Sequence, residues 1–145
     1  MTDIRWGILA TGGIAHAFAR DLRTADLDLA AVGSRSQASA DAFAAEYGVR
    51  RPHGSYEGLV ADPDIDIVYV ASPHSHHRDH ALLALEAGKH VLIEKAVTLD
   101  AAQAEEIRTA ATSRGLLAME AMWTRYLPHM VRIHEIIAAG TLGEV

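Results

Sequence analysis

Gly88-Lys-His-Val-Leu-Ile-Glu-Lys95 is the stretch on which the reading of this chain turns. A glycine suited to closing a helix is followed by a short apolar run, Val91 to Ile93, which ends abruptly in an acid and a base. That is a buried strand running into a polar pair. In an open α/β sheet, ligands bind outside the carboxyl ends of the strands. Glu94 and Lys95 are therefore expected where a cofactor and a substrate would meet. The thirteen Lys and Arg residues include only two lysines, Lys89 and Lys95, both within this stretch. A lysine ammonium is compact, and its proton affinity moves readily on partial burial. The competing reading is a solvated lysine at a strand end.

Outward from this stretch, short apolar runs alternate with longer helical ones. Strands are expected at 4–10, 27–34, 49–53, 65–71, 91–93 and 116–119. Helices are expected at 12–23, 36–47, 76–87 and 100–113, with a short one opening at Ser55. The first helix carries Ile14, Phe18 and Leu22 as a stripe. Ser36, Ser55 and Asp100 suit helix N-caps, and Gly48 and Gly88 suit C-terminal stops. Pro128 suits the first position of a last helix that Gly140 ends. Repeated strand–helix alternation predicts an α/β fold with a doubly wound, mostly parallel sheet. The final Gly140-Thr-Leu-Gly-Glu-Val145 reads as a turn into a further strand, so the sequence is expected to be part of a longer protein.

The net charge of −6 argues against a nucleic-acid partner or an anionic membrane surface. There is no cysteine, hence no disulfide and no thiolate metal site. No apolar run approaches the roughly 20 residues of a membrane helix, and no secretory leader is visible, so a cytoplasmic location is expected.

The first strand runs into Ala10-Thr-Gly-Gly-Ile14-Ala15, a variant of the glycine fingerprint of dinucleotide sites. Thr11, Gly12, Gly13 and Ile14 would bring backbone amides and a helix N-terminus to a pyrophosphate. Ala10 stands where the fingerprint has glycine, so the turn must admit a methyl group. The second strand ends in Gly33-Ser34-Arg35-Ser36. An acidic residue there holds a ribose 2′-hydroxyl, whereas an arginine accommodates a 2′-phosphate. Ser34 and Arg35 thus predict NADP, with NAD disfavoured.

Ser72-Pro-His-Ser-His-His-Arg-Asp-His80 holds four histidines and invites a metal reading. A catalytic zinc needs three oriented protein ligands, and no second His-rich segment completes such a site. The expectation is no metal, with Ser72, Pro73, His74 and His77 turning across the cofactor cleft and His77 near the nicotinamide end.

With these motifs together, the chain resembles the N-terminal domain of the Gfo/Idh/MocA oxidoreductases, most of all the dimeric dihydrodiol and NADP-dependent xylose dehydrogenases. The resemblance rests on Arg5 to Ala15, Ser34-Arg35, Val68 to Pro73 with His77, Gly88 to Lys95, and Met119 to Pro128. It implies a Rossmann-type NADP domain over 1–125 and a helix and turn over 126–145 leading to a second α/β domain. It implies that Lys95 is catalytic and that Glu94, Lys95, Trp123 and Arg125 lie by the cofactor. Ala96 replaces the proline of the family's Glu-Lys-Pro motif, which predicts a looser backbone there. The implied reaction is hydride transfer between NADP and a sugar, polyol or cyclic diol, in a homo-oligomer. The acid/base group is expected in the second domain, so these residues alone should bind the coenzyme with little turnover. Two rivals are a non-catalytic NADP-binding sensor or partner module and a metal-dependent hydrolase using His74 to His80.

Overall fold

The computed structural model describes residues 4–144. Its strands are β1 (Arg5–Leu9), β2 (Asp28–Gly33), β3 (Arg51–His53), β4 (Ile67–Val70), β5 (His90–Ile93) and β6 (Ala118–Glu120). Its helices are α1 (Gly13–Thr24), α2 (Gln37–Tyr47), α3 (Tyr56–Val60), α4 (His77–Glu86), α5 (Ala101–Arg114) and α6 (Pro128–Ala138). The six strands are parallel, in the order β3-β2-β1-β4-β5-β6. The expected doubly wound sheet is the one observed. Its order reverses between β1 and β4, and that switch point opens a crevice beyond the strand ends.

Each face of the sheet has its own core. Leu9, Val68, Val70, Val91 and Ile93 pack with Leu59, Leu85 and Ile107 of α3, α4 and α5. Ile8, Val32 and Tyr69 pack with Ala15, Ala19 and Phe43 of α1 and α2. The central strands are apolar on both sides because helices cover both faces.

Local chemistry sets the helix ends. Ser36 Oγ accepts from the Ser39 amide, Ser55 Oγ from the Gly58 amide, and Asp100 Oδ1 from the Gln103 amide. Gly48 closes α2 at φ 73°, a conformation that costs glycine little.

Several expectations move. The buried stripe of α1 is Ala15, Ala19 and Leu22, while Ile14 is exposed; small residues let this helix lie close on the sheet. Val49 belongs to the end of α2, its amide donating to Ala44 O, so β3 begins only at Arg51. β6 begins two residues later than expected and ends one later, where Glu120 pairs with Ile93. A 3-10 turn, His74–His76, leads into α4, and another, Trp123–Tyr126, precedes α6.

On the α1 side, α1 and α2 leave part of the sheet uncovered. Trp6, Phe18, Tyr69, Leu92, Met119 and Trp123 line an open apolar groove of about 610 Å³ there. Helix α6 buries none of its residues. Among the described residues, no helix is long and apolar enough to cross a membrane.

Candidate active site

At the switch point β1 gives way to Ala10, which takes φ 88°, the left-handed conformation a glycine would adopt easily. Its amide donates to Gly33 O at 2.9 Å, and the Ala71 amide donates to Leu9 O at 3.0 Å. The tips of β1, β2 and β4 are thereby fixed around one crevice. Gly12 is the N-cap of α1 with φ −80° and contributes no side-chain cap. The first amides of α1 thus point outward with the positive end of the helix dipole behind them. A Cβ on Gly12 would meet nothing within 4 Å, so the approach to those amides is open.

The crevice is a cleft of about 880 Å³. The structure brings together around it Ala10, Thr11, Gly12, Gly13 and Ile14 from the first turn, Ser34 and Arg35 from the second, and Ser72 and Pro73 beyond β4. Thr11 Oγ1 lies 3.4 Å from Ser34 Oγ, linking the first two groups. Among the described residues, no carboxylate lines the cleft. Arg35 is exposed and, among the described residues, its guanidinium has no hydrogen bond or salt bridge. A free fork of donors beside two serines is suited to a phosphate dianion.

Ser36, beside Arg35, also lines the cleft. Five further lining residues were not assigned to the coenzyme in the sequence: Ser39, Tyr56, Ala71, His76 and His80. Ser39 was legible as a neighbour of Arg35, and Ala71 as the residue before Ser72. The other three depend on how α3 and α4 stack beside one another, which no local motif reports. His80 Nδ1 lies 2.8 Å from Ser72 Oγ, and burial lowers the proton affinity of its ring, with the neighbouring His76 adding to the effect. Burial also raises the Tyr56 phenol above its ordinary range, with Arg35 opposing.

Beyond β5 the backbone from Lys95 to Val97 is held by side chains. Glu94 Oε2 accepts from the Lys95 amide at 3.0 Å, and Glu120 Oε1 accepts from the Val97 amide at 2.9 Å. His74 Nε2 lies 2.7 Å from Lys95 O, and His77 Nδ1 lies 2.8 Å from Ala96 O. The Lys95–Ala96 peptide is cis. The looser backbone expected from Ala96 is therefore countered by four side-chain contacts.

His77 is fully buried, and its other nitrogen lies 2.8 Å from Ser72 O. With both nitrogens against backbone carbonyls, it has none to offer a cofactor, and it does not line the cleft. The expected contact with the nicotinamide end gives way to a staple between the β4 and β5 loops. His74 is exposed and acts on the Lys95 loop. Lys95 itself is exposed and, among the described residues, its ammonium has no partner, which is the solvated placement of the competing reading. Glu94 is buried and holds the Lys95 backbone, not its ammonium. Its other oxygen accepts from the Tyr69 phenol, whose proton affinity is raised far above the ordinary range by burial and by this carboxylate. Glu94 and Trp123 line the apolar groove, whereas Arg125 lies exposed on the second 3-10 turn. Among the described residues, no three His, Asp or Glu side chains are grouped to hold a metal ion.

Comparison with known proteins places this geometry. The profile of an oxidoreductase family with an NAD-binding Rossmann fold matches residues 4–122. The chain is 47% identical to D-xylose 1-dehydrogenase (NADP(+)) of Hypocrea jecorina, over 98% of this chain and 40% of that protein. It is 39% identical to trans-1,2-dihydrobenzene-1,2-diol dehydrogenase of Macaca fascicularis, over 98% of this chain and 43% of that protein. A crystal structure of a 3-ketoreductase from Actinomadura kijaniata with NADP superposes with a TM-score of 0.90 at 34% identity, covering 99% of this chain and 46% of that one. An NAD binding oxidoreductase from Klebsiella pneumoniae gives 0.92 at 32% identity, covering 99% and 40%. The chain thus spans about two fifths of the length of the curated relatives it matches.

Proposed function

The chain belongs to the Gfo/Idh/MocA oxidoreductase family, and from that premise we propose that it is the coenzyme-binding part of an NADP-dependent dehydrogenase. The observation that carries this reading is the cleft at the switch point: open helix amides at Gly12 and, among the described residues, an unpartnered Arg35 and no lining carboxylate. These residues fit the coenzyme. Ala10 to Ile14 would hold its pyrophosphate, and Ser34 and Arg35 its 2′-phosphate. A lining carboxylate at Arg35 would favour a ribose hydroxyl instead. Relatives named as NADP-dependent xylose dehydrogenase and dihydrodiol dehydrogenase support a sugar, polyol or cyclic diol as substrate.

When bound, the coenzyme supplies the hydride acceptor or donor. The chain's own residues bind and orient. Lys95, held at the end of β5 by Glu94 and His74, would place an ammonium beside the substrate oxygen and stabilise charge as its proton leaves. An exposed ammonium is weak for this purpose in water, so the reading requires substrate to cover Lys95. The division into an NADP domain over 1–125 and a lead-in to further structure over 126–145 is part of the same proposal.

Fluorescence titration with NADPH and NADH tests it. Tight NADPH binding and weaker NADH binding are expected. Equal affinities would remove the role given to Arg35, and absence of binding would remove the dehydrogenase reading.

A further inference from the structure

His76 and His80 line the cleft without a role in the pyrophosphate turn, the Ser34–Arg35 corner or the Lys95 loop. They sit one helical turn apart, their rings stacked with centroids 5.5 Å apart and planes 26° apart. His80 also meets Tyr56 edge-on at 4.7 Å. Its Nδ1 is anchored by Ser72 Oγ, a hydroxyl that can donate or accept. Among the described residues, His80 Nε2 and both nitrogens of His76 have no hydrogen-bond partner. The charged groups around the pair are Asp79 on α4 itself, Glu57 on α3, the ring of His77 behind it, and Arg35 beyond Tyr56. Neither carboxylate lines the cleft. The cationic groups of the cleft wall are thus one arginine, always charged, and the stacked pair of imidazoles, a side-chain type whose charge depends on pH.

We propose that His76 and His80 form a titratable second cationic contact for the phosphate-bearing ligand of this cleft, so that its affinity is strengthened on acidification. The inference rests on the coenzyme reading above. Two imidazoles stacked this closely repel when both are charged. An anion between them and Arg35 relieves that repulsion, so ligand binding takes up a proton. A 2′-phosphate gains its own proton near pH 6 and loses charge over the same range. That change is common to wild type and variants, so their ratio at each pH isolates the histidines.

The experiment is calorimetric titration of NADP into wild type, His76→Gln and His80→Gln at about pH 8.5 and about pH 5, the lower value set well below an ordinary histidine because burial lowers the proton affinity of His80. His76 is exposed, so its variant leaves the packing intact; His80→Gln checks the same contact from its anchored side. The three proteins should bind alike at the higher pH. At the lower pH wild type should bind about three- to tenfold tighter than either variant, the worth of one partly screened charge. Tight binding with the same ratio at both pH values would overturn the histidine contact alone. Failure of wild type to bind NADP at either pH would overturn the coenzyme reading and this inference with it.

Discussion

The Tyr69 phenol of β4 donates to Oε1 of Glu94, the residue that follows the neighbouring strand β5. Tyr69 is 1% exposed and Glu94 8%. The same carboxylate receives the Lys95 amide through its other oxygen, so the phenol supports the backbone that carries the lysine. Tyr69→Phe keeps the ring stacked on Phe18 but leaves a buried carboxylate oxygen without its donor. Chemical denaturation should show a loss of about 1–3 kcal/mol. Burial, then Glu94, raises the proton affinity of the phenol. Its stabilising effect is therefore complete below the unfolded value near pH 10 and declines as pH rises above it. Wild type should lose stability above about pH 10 more steeply than Tyr69→Phe. Parallel curves for the two proteins would contradict the placement of this phenol.

Two glycines separate fold from binding. A Cβ on Gly33 would lie 2.8 Å from Leu59 Cβ, a clash with a side chain that is wholly buried. Gly33→Ala should cost about 1–3 kcal/mol, as overpacking does. A Cβ on Gly12 meets open space, and its φ of −80° suits any residue. Gly12→Ala should therefore melt within a few degrees of wild type, yet bind NADPH at least about tenfold more weakly if the pyrophosphate rests there. Unimpaired binding would move the phosphate elsewhere in the cleft.

The fold was legible because its signals are local. Val68 to Val70 and Val91 to Ile93 are short apolar runs, Ser36 and Asp100 are caps, and Gly48 is a stop, each doing in the structure what its chemistry suggests. Arg35 and Gly12 were legible because they follow strands directly. The histidines were not. His77 comes after β4, but whether its ring turns into the cleft or between two loops depends on the course of the turn after β5, nineteen residues on at Ala96. His80 takes its place in the cleft wall against Tyr56 of α3, and His76 stacks on His80, contacts between elements that no local motif reports. The place of Lys95 at a strand end was readable, but which of its two readings holds was not, since burial is a property of the assembled surface.

The amino ends of the strands, opposite the cleft, carry an ion network that should govern acid stability. Arg5 donates to Asp66 through Nη2 at 2.7 Å, through Nε at 3.0 Å and through its backbone amide at 2.8 Å. Chiefly through the side-chain hydrogen bond, this brings the Asp66 carboxyl down to about 2. A folded-state value below the unfolded one near 3.9 means stability that is complete above about pH 5 and lost as pH falls toward 2. Asp62 adds to the trend: burial opposes its ionisation, but the Asp64 amide, His53 and Arg51 outweigh it. Asp66→Asn should lower stability at neutral pH and flatten the acid limb of the stability curve. The Asp66 side chain is 37% exposed, so the effect should be modest and should shrink in high salt. An unchanged acid limb in Asp66→Asn would remove Asp66 from this role.

The staple formed by His77 can be tested apart from coenzyme binding. Its nitrogens lie 2.8 Å from Ala96 O and 2.8 Å from Ser72 O, tying the turn after β5 to the turn after β4. Leucine fills a similar volume but donates nothing, so His77→Leu leaves both carbonyls without this partner, one of them on the buried Ser72. A neutral imidazole carries one N–H and so donates to one of the two carbonyls at a time. Losing a donor to a buried acceptor costs about 1–3 kcal/mol, and a value at the lower end is expected because Ala96 is exposed and its carbonyl can turn to water. The cleft lining does not include His77, so NADPH affinity should change by less than about threefold, under 1 kcal/mol. A variant that stays fully stable but no longer binds coenzyme would reverse this assignment, placing the ring at the ligand instead of between the loops.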